Sequence, residues 1–600
     1  MSSNKTTLEN LTQGAEVGQA VRLVPFRSWI IGLAPVVRIA AVAVVLFAAV
    51  VSLQSFTGAF TAEFSGYPDE ASHYMSGLLV HDYAVAGLPA GPMRFAQNFY
   101  LHYPYLAIGH WPPFFYAIEG GWMLLFSSAR VSVMLLMALI TTLLALAIYK
   151  LARPDFGTVS AWIVSLLLIC NPLVLQYTSM VMLETLLALL SLGAVVYFGR
   201  FADSGRWQDS AKFAAFASLA ILTKANGFEL ALVPPLCLLA CRRISLAVRP
   251  SFWVPAAAAG ALCLPWHFAT MHLILPTFTA DAGVRFTTQA AGFYTWNVVK
   301  TLGPGLLVLA VLGLVDRILK PLLARRVEGR WAALAALPFS VIAFHSVVSA
   351  GFERRYLVTA VAPLLLLCAA GARSASERFR AVRWGQQIAL LAALLVFAIM
   401  SFTVPAKASF GFKEAANRIV SDPNFQNSLI LVSSETNVGE GIFVSEMAMR
   451  DHGFHHVILR ASKVLAENAW NQSLDDKYRP LFADSQALTQ CLQEIPLRAV
   501  IIDSSQGPKK YQHHQELLQV MESHQENWTL LGSFNRDSEP HRSRGVDVYS
   551  FTRNRNRSEQ GQDPLRQIRT NLIGGGQSWP ISMRLSCHAD VQETRSGAEK

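Results

Sequence analysis

Two adjacent carboxylates, Asp69 and Glu70, stand in the stretch SGYPDEASHY at 65–74, directly behind the apolar run 37–56. A carboxylate within hydrogen-bond reach can take a proton from a reacting group. Further polar points recur among apolar residues: Glu184 in TSMVMLETLLALL (178–190), Lys224 in LTKANGFE (222–229), and Glu353, Arg354, Arg355 and Tyr356 at the head of GFERRYLVTAVAP (351–363). Lysine and arginine hold anions, arginine as a fork that suits phosphate oxygens. Ionisable residues at membrane depth are costly and face a cavity, a partner or a pathway. The acids and bases therefore predict one outward-facing cavity.

The elements that must position them are membrane spans. With 52% hydrophobic residues, 15% charged and a mean hydropathy of +0.35 over 600 residues, the chain is too apolar for an ordinary soluble enzyme. Segments of about 17–25 apolar residues cross a bilayer. Eleven are read, at 36–58, 129–150, 157–176, 179–199, 209–223, 227–241, 252–270, 299–318, 331–350, 356–372 and 384–404. The fifth and sixth share LTKANGFE, and they also read as one re-entrant hairpin. The net charge of +10 sits in alternate turns, from Arg22, Arg27 and Arg38 through Arg242 and Arg243 to Arg373 and Arg378. This repeated positive-inside pattern places the N-terminal segment 1–35 in the cytoplasm. The basic charge thus reports topology and excludes nucleic acid as its explanation. No cleavable signal peptide is expected, because the first apolar run begins late and more spans follow.

An odd number of spans puts residues after 404 outside. Segment 405–552 alternates β-rich runs, SLILVS (428–433), HHVILR (455–460), RAVIID (498–503) and WTLLGSF (528–534), with helical stretches such as 507–524. That alternation predicts a small extracytoplasmic α/β domain. The polar, glycine-containing tail 553–600 is expected to lack stable structure. Five of the seven cysteines lie in spans and read as small hydrophobes. Cys491 and Cys587 lie outside and are able to pair, although the position of Cys587 in the tail disfavours it. The outer loop 59–128, longer than any cytoplasmic loop, carries HYPYLAIGHWPPFFYAI (102–118), whose aromatic residues suit the membrane interface.

Together these motifs resemble the C-type (GT-C) superfamily of membrane glycosyltransferases. They are DE after span one, HWPPFFY before span two, a lone acid in MVMLE, LTK between spans five and six, and ERRYL before a late span. The resemblance covers 36–404 and is nearest to the branch of protein O-mannosyltransferases, the aminoarabinose transferase of lipid A and lipopolysaccharide-core galacturonosyltransferases. It implies transfer of a sugar from a polyprenyl-phosphate donor to a cell-envelope acceptor (lipid, glycan or protein) at the outer face of an inner membrane, with inversion. In that comparison Asp69 matches the first acid and would be the base, with Glu70 orienting it or the acceptor. The competing reading is that the pair only caps the helix at 68–83. Lys224, Arg354 and Arg355 would stabilise the leaving phosphate, against snorkelling to headgroups. One of the two arginines suffices, and Glu353 would pair with either. Glu184 matches the second acid and would hold the acceptor or a metal, or else pair with Lys224 or an arginine.

The aminoarabinose branch implies a metal ligand before the Pro-Pro, where this chain has His110, and a histidine in a later outer loop, where 277–289 has none. Asp281, His267 or His272 would have to substitute. Carboxylates would favour magnesium or manganese, and histidine zinc. An oligosaccharide ligase or polymerase using a diphosphate-linked glycan is the alternative function. A transporter or flippase would instead gather its charges near the midplane, and a sugar sensor would use the outer domain alone. No glycine-rich loop follows a strand on the inner side, so no nucleotide-sugar site is expected.

Overall fold

The computed structural model describes residues 26–274, 283–378, 384–435, 437–451, 453–467, 478–482, 484–503, 511–523, 526–535, 545–551, 572–575 and 582–585. Its first helix α1 (Phe26–Phe56) ends in the loop that carries Asp69. The long outer segment then folds as α2 (Glu70–Val85), α3 (Pro92–His102) and α4 (Phe114–Leu125). Helices α5 (Arg130–Cys170), α6 (Pro172–Thr178), α7 (Glu184–Ser204) and α8 (Trp207–Thr223) follow. After α8 come α9 (Val233–Cys241), α10 (Pro250–Leu262) and α11 (Leu264–Ile274). The membrane part closes with α12 (Val284–Leu314), α13 (Lys320–Leu323), α14 (Gly329–Val347), α15 (Val358–Arg378) and α16 (Gly385–Ser401).

Among the described residues, six helices are long and apolar enough to cross a membrane, or seven if the pair α10–α11, bent by 55°, counts as one span. Three shorter apolar helices accompany them. The chain is a multi-pass membrane protein. The sequence reading of eleven spans exceeds this count, in part for a local reason. Its second and third spans lie together in α5, where Gly157 takes φ 78° and reverses the chain. Ser165 Oγ donates to Ala145 O at 3.0 Å, and the Tyr149 and Trp162 rings lie 5.5 Å apart. A straight helix would separate those partners by about 20–30 Å. The positive φ is open to glycine without a Cβ clash.

Beyond α16 lie α17 (Phe412–Val420), β1 (Ser428–Ser433), α18 (Asn437–Ala448), β2 (His456–Arg460), α19 (Ala461–Val464), β3 (Ala466–Glu467) and β4 (Arg479–Pro480). Then come α20 (Ser485–Glu494), β5 (Leu497–Asp503), α21 (Gln512–Ser523), β6 (Trp528–Phe534) and β7 (Val546–Phe551). The sheet order is β2-β1-β5-β7-β6, with β1 parallel to β2 and β5, and β7 antiparallel to β5 and β6. All four strands read from the sequence are present, and VDVYSF adds β7. The tail departs from its expected lack of structure: β8 (Leu572–Gly575) and β9 (Ser582–Leu585) pair antiparallel. Short apolar runs inside polar sequence suffice for that ladder, and Leu585 is buried against the sheet. Cys491 is disulfide-bonded, and Cys587 lies outside the described residues.

Period-two alternation splits β1 between two cores. Leu429 and Leu431 pack with α20 and α21, whereas Ile430 and Val432 join the core that holds Tyr74, Tyr103 and the membrane helices. The outer domain is therefore packed onto the first loop. Arg130 at the start of α5 bonds Glu446 of α18, and Arg450 Nη1 donates to Glu446 Oε2 at 2.7 Å. Tyr103 Oη donates to Asp451 Oδ2 at 2.6 Å. Glu63 accepts the backbone N–H groups of Phe410 and Lys413, each at 2.8 Å.

Candidate active site

Asp69 precedes α2 and makes no side-chain cap on it. Helix capping thus leaves its carboxylate unexplained. Its Oδ2 accepts from Arg355 Nη1 at 2.9 Å, with the Asp69 side chain 21% exposed and that of Arg355 9%. Arg355 Nε lies 3.7 Å from Glu184 Oε1, and the same oxygen accepts from Lys224 Nζ at 2.6 Å. Four alternating charges therefore form one chain, Asp69–Arg355–Glu184–Lys224. Tyr67 and Tyr356 wall it: Arg355 Cζ lies 4.4 Å from the Tyr67 ring centre and 5.8 Å from that of Tyr356, and Lys224 Nζ lies 5.2 Å from the Tyr356 ring. Cations over aromatic faces are favourable where water is scarce. Arg355 Nε and Glu184 Oε2 are buried without hydrogen bonds among the described residues.

Local structure explains each placement. Lys224 is extended (φ −156°, ψ 138°) between α8 and a 3₁₀ helix at Ala225–Leu232, so the span breaks where its charge turns inward. Glu184 opens α7. Arg355 lies on the 3₁₀ turn Arg354–Leu357, which points Arg355 inward and leaves Arg354 exposed. Of the two arginines, Arg355 alone joins the charge chain. Glu353 accepts from Tyr67 Oη at 2.8 Å instead of pairing with either arginine.

Glu70 is the residue expected to orient either Asp69 or the acceptor. It is fully buried. Its Oε2 accepts from Gly66 N at 2.8 Å, and its Oε1 from Val181 N at 3.2 Å and Lys407 Nζ at 2.5 Å. A carboxylate so engaged fixes the backbone on which Asp69 rides.

Among the described residues no group of three or more His, Cys, Asp or Glu could hold a metal ion. Glu184 already faces two cations, which would repel a third. Asp281 lies outside the described residues. His110 is half-buried, and burial lowers its imidazole below the ordinary value, with Asp69 raising it and Lys463 and His272 lowering it. His267 stacks near Phe228, ring centres 5.2 Å apart.

Residues missed from the sequence are Tyr67, His73, Tyr105 and Lys407. Lys407 carried a usable signal, since it follows the last span on the side where the positive-inside rule disfavours lysine. His73 is enclosed by Trp111, Phe115 and Tyr116, with Nδ1 2.8 Å from Tyr116 Oη. Burial lowers it from 6.5 to about 3, Glu184 pulling it up and Lys224 and Arg355 pushing it down. The unfolded chain binds this proton below pH 6.5 and the folded chain does not, so stability is expected to fall as pH drops from 6.5 toward 3. Thermal unfolding in detergent between pH 7.5 and 5 should show a falling midpoint that His73→Gln flattens.

With this geometry in hand, the known proteins can be placed beside it. The family described as dolichyl-phosphate-mannose-protein mannosyltransferase matches residues 110–268, from just before α4 into α11. ArnT from Cupriavidus metallidurans bound to undecaprenyl phosphate superposes with a TM-score of 0.55 at 15% identity, over 86% of this chain and 98% of that one. The same protein in the apo state gives 0.54 at 15%, over 84% and 97%. The chain has the GT-C fold. No curated protein sequence matches it. The GT-C likeness runs beyond the spans into the α/β domain, because it covers 86% of this chain. The resemblance read from DE, HWPPFFY, MVMLE, LTK and ERRYL therefore holds at the level of fold.

Proposed function

We propose that the protein transfers a sugar from a polyprenyl-phosphate carrier to a cell-envelope acceptor at the outer face of an inner membrane. The observation that carries this is the buried charge chain Asp69–Arg355–Glu184–Lys224 on a GT-C fold. A phosphate needs clustered cations, and Arg355 and Lys224 lie on the same carboxylate. Asp69, the more exposed of the two acids of this chain, faces the acceptor. As the acceptor oxygen attacks the anomeric carbon from the face opposite the phosphate, its proton passes to Asp69. The bond from carbon to phosphate oxygen breaks, its electron pair leaves on the phosphate, and the configuration inverts. Glu184 holds both cations in register.

The crossings in this reading are α1, the two arms of α5 with α6, α7, α8, the 3₁₀ turn with α9, α10–α11, α12, α14, α15 and α16. In the same reading the N-terminus is cytoplasmic and the α/β domain lies outside.

The test uses purified protein, a panel of polyprenyl-phosphate sugars and a cell-envelope extract. Release of free polyprenyl phosphate, followed by mass spectrometry, should require both the extract and Asp69. Absence of release from every monophosphate donor with folded protein overturns the reading in favour of a diphosphate-linked glycan ligase.

A further inference from the structure

We infer that the outer α/β domain positions the proposed base: Glu440 and Arg460 hold Tyr105, and Tyr105 holds the carbonyl of Pro68, the residue before Asp69. This rests on the reading of Asp69 as the base. Arg460 ends β2 and is 7% exposed. Its Nε donates to Glu440 Oε2 at 3.0 Å and its Nη1 to Pro104 O at 3.3 Å. Its Cζ lies 4.6 Å from the Tyr105 ring centre, so the guanidinium covers that ring. Glu440 is itself fixed, accepting from Ser462 N at 2.8 Å and Ser462 Oγ at 2.5 Å. Tyr105 Oη then donates to Pro68 O at 3.0 Å.

Helix α18 is shaped to this ring. A Cβ added at Gly441 would lie 2.3 Å from Tyr105 Cζ and 2.8 Å from its Oη. Glycine inside a helix costs about 1 kcal/mol relative to alanine, and here the missing methyl is the room the ring occupies. On the opposite flank Glu70 is pinned by Gly66 N, Val181 N and Lys407 Nζ. The segment 68–70 is thus clamped from both sides, and Asp69 between the clamps keeps its geometry toward Arg355. Further ties between domain and loop, among them Arg130 to Glu446, Tyr103 to Asp451 and Glu63 to the Phe410 and Lys413 amides, do not touch this segment. A brace for the loop as a whole would need only those. A displacement of about 1 Å at a reacting group can cost about 100-fold in rate.

The test uses the full-length protein with Gly441→Ala, which improves helix propensity yet pushes the ring, and Tyr105→Phe, which removes only the donor to Pro68. Each is expected to lower kcat by about tenfold or more with KM for the donor nearly unchanged. The double variant should fall no further than the worse single one, because both act through one contact. Hydrogen exchange at the amides of Glu70 and His73, bonded to Tyr67 O and Asp69 O at 3.1 Å and 3.0 Å, should accelerate in both. Folded variants with wild-type kcat, additive losses, or unchanged exchange at these amides overturn the clamp. Asp69→Asn is run alongside. If it keeps wild-type turnover, the base assignment falls alone, and the amide exchange still decides the clamp.

Discussion

Asp69→Asn is expected to lower turnover by about 10²–10⁴-fold, the range contributed by a general base, while polyprenyl-phosphate binding persists. The amide nearly preserves the shape of the carboxylate and can still meet Arg355 through its carbonyl oxygen. What it loses is the capacity to accept the acceptor's proton. The backbone around it is held by groups the substitution does not touch, Glu70 with Lys407 on one side and Tyr105 on the other. The measurement is single-turnover release of polyprenyl phosphate beside equilibrium binding of the lipid. A loss of binding equal to the loss of rate would mean that Asp69 supports Arg355 and does not take the proton.

Lys224→Ala is expected to abolish donor use and also to destabilise the fold. Glu184 is 2% exposed and loses its 2.6 Å partner, keeping only Arg355 at 3.7 Å. Breaking a buried pair from one side typically costs about 3–5 kcal/mol, because a buried charge is left without its partner. The two effects separate in Lys224→Met with Glu184→Gln, which removes both charges at similar volume. That double variant should regain most of the lost thermal stability and none of the donor use. Recovery of donor use in it would show that Lys224 serves only to neutralise Glu184, and the phosphate site would then rest on Arg355.

Much of this molecule was written locally in its sequence. Hydropathy over stretches of about 20 residues is a property of the chain alone, and it marked a multi-pass membrane protein with a long segment between its first two spans. Alternating apolar residues likewise marked β1, β2, β5 and β6. The two spans read on either side of Gly157 are the two arms of α5, which that single residue turns back on each other.

Partners across the fold belonged to the tertiary structure. Asp69 and Arg355 are 286 residues apart, and Glu70 and Lys407 are 337 apart. Two neighbouring carboxylates of nearly equal chemistry thus received opposite tasks. Glu70 turns into the protein against two backbone N–H groups and a lysine, while Asp69 stays partly exposed and meets an arginine. The neighbouring arginines divided in the same way, because a 3₁₀ turn directs successive side chains about 120° apart and lets only Arg355 face inward. Sequence determined that charge would gather near the ends of the spans, since hydrocarbon excludes it elsewhere. Only the packing of the outer domain and the bundle decided which charge meets which, because that choice depends on distances that no local stretch contains.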